Sequence, residues 1–555
     1  MGLLSFLNNN IIGQLGDQIG TLWLGQIFYY KKFALLRFYS IEYFSNNPQS
    51  FESLYFSNIY NFLYLSFASV FGSFFTYNFL TFLFLTFNSL SLFYLLRKLK
   101  ISNSVSLLFS LVFPTIPYFY SHFEHQTLLI LFPSIILIGL LLNTDLITLK
   151  FRSLIYISIL LNIQVLFSLY LGYFVGIYVF LFFIISFIHH KDKLIIYNFL
   201  LITTLSLVMF LFSNLSTVYS FLNPTSSVST YDFPNNQYEK NVSTYSFERE
   251  RPLEDFLYFS SRPWYYFLYH TNHPVFGNVT KGFVEYFSEE LDIWIFKNHF
   301  PAEHNSSFIG ITVIFIIFLG FLKKIIQRNP LVFKLFIISI FLFVLTLPPV
   351  LPLGFMNLYT PSYIMYEVFP MFRSIARLAI FIHINLFIIA AYVINELVIK
   401  SKRSKKILIL AGLFVLFSFE YFGNYKSIGV LKLDETNKYL LEHNQSKYMT
   451  AAFPNSFRNE FLLNMVYHES PLFNPSGFVR NEIGFNSSNF TENIDTCENL
   501  NYFKNFNGKF IIIKNYNSFD FKIINSLDTV FESSEEKTTI KSIDKIDVLC
   551  QSSGN

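Results

Sequence analysis

The chain has 555 residues, of which 53% are hydrophobic and 14% charged, and its formal net charge is +4 at pH 7. This composition is too apolar for a soluble enzyme of that length and is typical of a multi-pass membrane protein, with the lipid bilayer as its first partner. The charge is small and no basic block is interleaved with aromatic residues in a soluble segment, which excludes nucleic acid as a partner.

Apolar segments predict the membrane organisation in chain order. Residues 13–58 are mixed and aromatic and predict a loop with short interfacial helices. Residues 59–75 are apolar but barely of spanning length, which favours an interfacial or re-entrant helix. The segments that follow predict about ten spanning helices, at residues 76–96, 104–121, 126–143, 153–170, 172–188, 194–214, 307–322, 331–349, 377–396 and 407–423.

Basic residues in the short connections predict the orientation, because Lys and Arg are retained on the cytoplasmic side. The clusters fall at alternate connections, at residues 97–100, 150–152, 189–193, 323–328 and 400–406. This alternation predicts a protein of the cytoplasmic membrane. Its extracytoplasmic parts would be the first loop, the turn at 122–125, the segment 215–306, the connection 350–376 and the tail from Asn424.

These features together predict a mainly α fold. It is a polytopic transmembrane helical bundle with an extracytoplasmic loop domain and a small α/β C-terminal extracytoplasmic domain. The tail holds Cys497 and Cys550, which either form a disulfide on the outer side or remain two free thiols. The predicted segments are 1–75 (first outer loop with interfacial helices), 76–214 (first transmembrane bundle), 215–306 (external loop domain), 307–423 (second transmembrane bundle) and 424–555 (C-terminal domain).

Carboxylates and imidazoles fall in two of the predicted outer segments. Asp17 lies between glycines in the first loop, and His122, Glu124 and His125 lie in one turn between two spans. Such residues either meet water at the interface or point into a shared cavity. In a cavity they could orient a substrate, transfer a proton or hold a divalent metal such as Mg or Mn.

Two arginines and a further acidic group mark the outer ends of later spans. Arg373 and Arg377 are four residues apart, so on a helix they share a face, where two guanidinium groups suit a phosphate. The alternative is that both snorkel to lipid headgroups. Glu303 and His304 precede the span at 307 and are also explained as an ordinary helix start, and the same holds for the polar region of His270 and His273.

In combination these residues resemble the integral-membrane C-type glycosyltransferases (GT-C), particularly their poorly characterised bacterial and archaeal branch. The resemblance covers nearly the whole chain, and it departs from the family pattern at Ala376 and Pro475, where Pro and Gly are usual. The matching motifs, in order, are Gly16-Asp17 with Trp23, Thr76-Tyr77-Asn78, the turn 122–126, Pro301-Ala302-Glu303 with Phe308-Ile309-Gly310, Arg373 with Arg377, and Tyr467-His468 with Pro471-Leu472.

The resemblance implies a hexosyl or pentosyl transferase that uses a polyprenyl-phosphate-linked sugar as donor. Asp17 would be the catalytic carboxylate, and Arg373 with Arg377 would hold the donor phosphate. Glu124 and His125 would place the acceptor (a glycan, lipid or protein) or a metal. Further site candidates are His122, Glu303 and His468.

Three alternatives remain open at this point. One is a transporter or flippase for a lipid-linked substrate, and another is a non-catalytic accessory protein with a GT-C-like fold. An O-antigen ligase or polymerase is a nearer relative of the glycosyltransferase interpretation. Family members carry a complete spanning helix before the Gly-Asp loop, whereas only about fifteen residues precede it here. The resemblance therefore implies that the given chain is truncated or starts at the wrong Met.

Overall fold

The computed structural model describes residues 11–12, 22, 59–213, 253–297, 299–352, 356–370, 372–399, 401–423, 427–428, 434–444, 448–453, 494–505, 508–515, 521–535 and 537–552. The protein is mainly helical. Its α-helices, in chain order, are α1 (Ile59–Phe71), α2 (Ser73–Lys98), α3 (Asn103–Val112), α4 (Pro117–Ser121), α5 (Phe132–Asn143), α6 (Phe151–Phe167), α7 (Leu169–His190), α8 (Lys193–Ser213), α9 (Leu253–Tyr258), α10 (Gly277–Glu285), α11 (Pro301–Ser307), α12 (Ile311–Leu322), α13 (Ile325–Arg328), α14 (Pro330–Thr346), α15 (Ser362–Val368), α16 (Ala379–Val398), α17 (Arg403–Glu420), α18 (Glu435–His443), α19 (Cys497–Asn505) and α20 (Ile546–Ser552).

Short turns and strands complete the described elements. The 3₁₀ turns are Phe113–Thr115, Gln126–Leu129, Pro263–Tyr266, Trp294–Phe296, Ile375–Leu378 and Ile524–Ser526, and Tyr286–Glu290 is a π-helical turn. The strands are β1 (Ile11–Ile12), β2 (Val350–Pro352), β3 (Asn357–Tyr359), β4 (Ser427–Ile428), β5 (Met449–Phe453), β6 (Gly508–Lys514), β7 (Asp528–Ser533) and β8 (Thr538–Ser542).

Seven helical segments within the described ranges are long and apolar enough to cross a membrane. This confirms the prediction of a membrane-embedded, mainly helical protein. They are Ser73–Lys98, Asn103–Ser121, Gln126–Asn143, Leu169–His190, Lys193–Ser213, Pro301–Leu322 and Ile375–Val398.

The three other predicted spans fall on α6, α14 and α17, which have 17, 17 and 18 residues. A hydrocarbon core needs about 20 residues of helix, and α17 also begins with several basic residues. The count of about ten spans therefore stays a prediction. The interfacial or re-entrant segment predicted at 59–75 coincides with α1 and the start of α2, separated by Gly72, whose φ is +83°. That placement also stays a prediction.

The chain folds as two compact units. The first contains residues 1–80, 234–242 and 427–555, and the second contains residues 81–233 and 243–426. The five segments predicted from the sequence concern the sides of a membrane rather than compactness, and they stay a prediction.

The C-terminal part of the first unit contains a four-stranded sheet in the order β5-β6-β8-β7, with β5 and β6 parallel and the other pairs antiparallel. A small sheet domain was predicted for the tail. Ile511 and Ile513 face one apolar layer and Ile512 faces the other, as the alternation of side chains along a strand requires. Cys497 of α19 and Cys550 of α20 form a disulfide, which the sequence had left open.

The core of the second unit is the span formed by the 3₁₀ turn Ile375–Leu378 and α16. It is almost entirely buried and packs against α3, α12 and α14. The apolar helix α8 is mostly exposed, which is expected of a helix whose outer face is solvated by lipid. His383 and Asn385 of α16 are accordingly buried inside the helical bundle.

Candidate functional site

The candidate site is built around the short helix α11. Pro301 occupies its first turn, where the missing N–H is not needed, and Glu303 follows two residues later. The helix packs against α4 and against the 3₁₀ turn Ile375–Leu378. The ends of three candidate spans therefore meet here.

Glu303 and Arg377 form a buried ion pair at this junction. Arg377 Nε lies 3.6 Å from Glu303 Oε1, and the two side chains are 14% and 1% exposed. The distance exceeds that of a well-formed charged hydrogen bond, about 2.7–2.9 Å. Arg377 Nε and Glu303 Oε2 have no hydrogen-bond partner among the described residues. The pair thus keeps hydrogen-bonding capacity for another group.

His122 lies beside this pair. Its Nδ1–H donates to the carbonyl oxygen of Tyr118 at 2.8 Å, and its ring stacks on the Tyr118 ring at 4.5 Å. Burial lowers the pKa of His122 well below its usual value, and the charges of Arg377 and His125 lower this pKa further. A neutral ring that donates from Nδ1 keeps its lone pair on Nε2. We call Glu303, Arg377 and His122 the Glu303 cluster.

The remaining residues of the predicted turn lie nearby. The His125 ring is 6.3 Å from the His122 ring, and the backbone N–H of His125 donates to the His122 carbonyl oxygen at 2.9 Å. Glu124 and His125 are half-buried. The structure therefore brings His122, His125, Glu303 and Arg377 to one end of the bundle, whereas Asp17 and His468 lie outside the described residues.

Arg373 does not share a helical face with Arg377. The 3₁₀ turn begins only at Ile375, so Arg373 precedes it. Arg373 Nη1 donates to Asp255 Oδ2 at 2.6 Å, and its guanidinium lies 4.6 Å from the Phe259 ring. Each of the two arginines pairs with its own carboxylate. The expectation that they share a helical face was wrong, because the helical turn begins only after Arg373.

A third arginine, Arg262, was missed in the sequence. It is 2% exposed, although the 3₁₀ turn that follows it belongs to a predicted outer loop. Its Nε and Nη1 have no hydrogen-bond partner in the described part of the chain, and its guanidinium lies 4.5 Å from the Trp294 ring. Burial lowers the pKa of Arg262. The sequence did contain a signal for Arg262. Basic residues concentrate in the predicted cytoplasmic connections, so an arginine in a predicted outer segment is unusual, and this same argument identified Arg373 and Arg377.

Four further histidines connect the segment 253–300 to the helix ends. His304 Nε2–H donates to the Leu268 carbonyl oxygen at 2.9 Å, and its Nδ1 lies 3.2 Å from His299 Nε2. His270 Nε2 lies 2.7 Å from the Tyr120 hydroxyl, and His273 Nε2–H donates to the Phe419 carbonyl oxygen at 3.0 Å. Burial lowers the pKa of His270 to about 3 and that of His299 to about 4. These neutral rings connect the segment to the helix ends through hydrogen bonds.

A divalent metal is a further prediction for this site. Within the ranges that the structure covers, no group of three or more His, Cys, Asp and Glu could hold a metal ion. A Mg ion is often held by only one or two carboxylates together with substrate phosphates, and Asp17 lies outside the described residues. The Mg or Mn site therefore stays a prediction.

Neither a model of a known protein family nor a curated protein sequence matches the chain. The main features of the site are a buried guanidinium and carboxylate with unfilled hydrogen-bonding capacity, a neutral imidazole beside them, and a position at the ends of apolar helices.

Proposed function

We propose that the chain is a membrane glycosyltransferase of the GT-C type, which moves a sugar from a polyprenyl-phosphate-linked donor to an acceptor at the outer face of the membrane. The observation that supports this proposal is the Glu303 cluster, where Arg377 lies at the end of a spanning helix with an unused N–H. A lipid phosphate lies at the same depth as the ends of spanning helices. The planar guanidinium is well suited to hold it.

In the proposed reaction the acceptor oxygen forms a bond to the anomeric carbon while the bond from that carbon to the phosphate oxygen breaks. The electron pair of the broken bond goes to the phosphate, whose negative charge Arg377 stabilises. The acceptor proton goes to Asp17. His122 Nε2 accepts a hydrogen bond from the acceptor hydroxyl. Because the pKa of His122 is low, this residue orients the hydroxyl and does not take up its proton.

The proposal places about ten helices across the membrane. The loop domain, the site and the tail would lie outside. The disulfide between Cys497 and Cys550 supports an extracytoplasmic tail, because structural disulfides persist mainly in oxidising compartments.

The positions of ionisable residues favour an enzyme over a transporter. In the seven candidate spans, Asp, Glu, Lys, Arg and His lie within the first or last two turns, with His383 as the exception. His383 Nε2–H donates to the Ser306 carbonyl oxygen at 3.1 Å, which gives it a packing role. Transporters place their substrate and ion sites near the midplane.

The test uses purified full-length protein in nanodiscs and measures binding of farnesyl phosphate, together with sugar release from polyprenyl-phosphate sugars. Arg377→Ala should weaken farnesyl phosphate binding about tenfold to a hundredfold, because a charged hydrogen bond contributes about 1.5–3 kcal/mol. Arg377→Lys should recover part of this loss. Asp17→Asn should abolish sugar release and leave farnesyl phosphate binding unchanged.

Arg328→Ala is the matched control, since Arg328 is an exposed arginine in α13. It should match the wild type in both assays. Equal farnesyl phosphate affinity in the wild type and Arg377→Ala would contradict the phosphate assignment. Farnesyl phosphate binding without sugar release from any donor would favour the accessory protein, and flux of a lipid-linked sugar across sealed vesicles would favour the flippase.

A further inference from the structure

The buried charges around α11 do not balance. Arg377 faces Glu303, and Arg373 faces Asp255, but Arg262 has no carboxylate within ion-pair distance in the described residues. An uncompensated buried cation is unfavourable by several kcal/mol. The Trp294 ring face compensates only part of this, since a cation–π contact contributes about 0.5–2 kcal/mol.

Arg262 directly precedes the 3₁₀ turn Pro263–Tyr266, which packs against α11, the helix that carries Glu303. Tyr265 belongs to the 3₁₀ turn that begins directly after Arg262, and its hydroxyl accepts from the backbone N–H of Phe300 at 3.2 Å, one residue before α11. Its ring stacks on His304 at 4.8 Å. Tyr265 therefore connects the turn that follows Arg262 with the helix that carries Glu303.

Electrostatics agrees with this placement. Burial raises the pKa of Tyr265 to about 12, the Arg262 charge lowers this pKa, and the Glu303 charge raises it. Both charges act on the same hydroxyl. Glu303 is already paired with Arg377, so Arg262 adds one uncompensated buried positive charge to this part of the described structure.

We propose that Arg262 binds a second anionic group of the donor, in addition to the phosphate assigned to Arg377. This inference rests on the proposed function and deepens it. The second group is either another phosphate, as in a diphosphate linkage, or a carboxylate on the transferred sugar. Both are planar or tetrahedral oxyanions that match the fork of a guanidinium.

Trp294 lies against Arg262. It covers one face of the guanidinium and belongs to a three-residue 3₁₀ turn in a largely exposed segment. An anion bound to the in-plane N–H groups of Arg262 would lie beside this ring. Binding should therefore change the emission of Trp294, and Trp294→Phe should remove that change.

The experiment compares four probes in nanodiscs: farnesyl phosphate, farnesyl diphosphate, farnesyl phosphoglucose and farnesyl phosphoglucuronate. Each is titrated into the wild type, Arg262→Gln and Arg262→Lys. Lys297→Gln is the matched control, because Lys297 lies in the same segment and pairs with Asp292 at the surface. Thermal unfolding of each variant checks that it folds, and Arg262→Lys keeps the charge if Arg262→Gln does not fold.

We expect the wild type to prefer one probe with two anionic groups over its counterpart with one anionic group by about tenfold, as one charged hydrogen bond implies. Arg262→Gln should abolish this preference, Arg262→Lys should reduce it, and Lys297→Gln should keep it. A preference for the diphosphate identifies the second group as a phosphate, and a preference for the glucuronate identifies it as a carboxylate.

Two results would overturn the inference, and they are distinguishable. If farnesyl phosphate binds in an Arg377-dependent way but neither preference depends on Arg262, the second anion site is wrong and the proposed function stands. If no isoprenyl phosphate binds the wild type, the proposed function fails and the inference fails with it.

Discussion

Gly310 connects α11, the helix that carries Glu303, to the spanning helix α12. It separates α11 from α12 and has a φ of +101°, a conformation that side chains rarely tolerate. The Glu420 carboxylate accepts hydrogen bonds from the first N–H groups of α12, including that of Thr312 at 3.1 Å, and the Tyr421 hydroxyl donates to the Ile309 carbonyl oxygen at 2.6 Å. These contacts hold the end of α11 and so position Glu303.

Gly310→Ala should destabilise the protein by about 1–3 kcal/mol, because it combines backbone strain with a steric clash. A Cβ at this position would lie 2.6 Å from the Tyr421 hydroxyl and 2.9 Å from Glu420 Oε2. Thermal unfolding in detergent measures the effect.

Gly412→Ala in α17 is the matched control, since a Cβ there has no atom within 4 Å and the position is helical. Its helix should be unchanged or slightly stabilised. Equal melting temperatures for the two variants would show that Gly310 is not under strain.

The span at residues 126–143 shows how a broken helix is accommodated at the scale of one element. The 3₁₀ turn Gln126–Leu129 ends before α5 begins, and Pro133 in the first turn of α5 marks the restart. Asn88 Nδ2–H donates to the Leu129 carbonyl oxygen at 2.7 Å, and its Oδ1 accepts from the Leu131 N–H at 3.0 Å. Such a break is tolerated in an apolar bundle only when side chains satisfy the backbone.

Asn88→Leu should destabilise the protein by about 2–4 kcal/mol, because it leaves two buried backbone groups unsatisfied, each at about 1–3 kcal/mol. Asn143→Leu is the control, since exposed Asn143 bonds, among the residues that the structure describes, only to the Gly139 carbonyl oxygen of its own helix. Thermal unfolding and resistance to protease should fall for the first variant only. A similar loss for both would indicate a general intolerance of Leu in these helices.

The orientation in the membrane is a property of the whole molecule. The alternating basic connections predict that the turn after α12 is cytoplasmic and that the tail is outside. Lys324 and Lys545 are exposed positions in these two regions. They are suitable for cysteine reporters once the disulfide pair has been replaced.

In a Cys497→Ser and Cys550→Ser background, Lys545→Cys should react with a membrane-impermeant maleimide in intact cells. Lys324→Cys should react only after permeabilisation. The unsubstituted background should not react at all. The opposite pattern would place the tail in the cytoplasm and would contradict an outward active site.

The positions of the helices were predictable from the sequence, since a run of about 18 apolar residues is enough to identify a candidate span. His122, Glu303 and Arg377 were also identified, because each is a polar residue at the end of such a run. Asp17 and His468 stay predictions. These predictions were possible because the hydrophobicity of a segment, and the place where it ends, can be read from neighbouring residues in the sequence.

Only the tertiary structure decided which charges meet. Arg373 pairs with Asp255, which is 118 residues away, while Arg377 faces Glu303. The burial of Arg262 depends on a ring 32 positions further along the chain, and the disulfide joins cysteines 53 residues apart. Such contacts follow from how helices pack and not from local spacing. Composition and periodicity therefore determined a membrane bundle, and packing alone determined the electrostatics of its site.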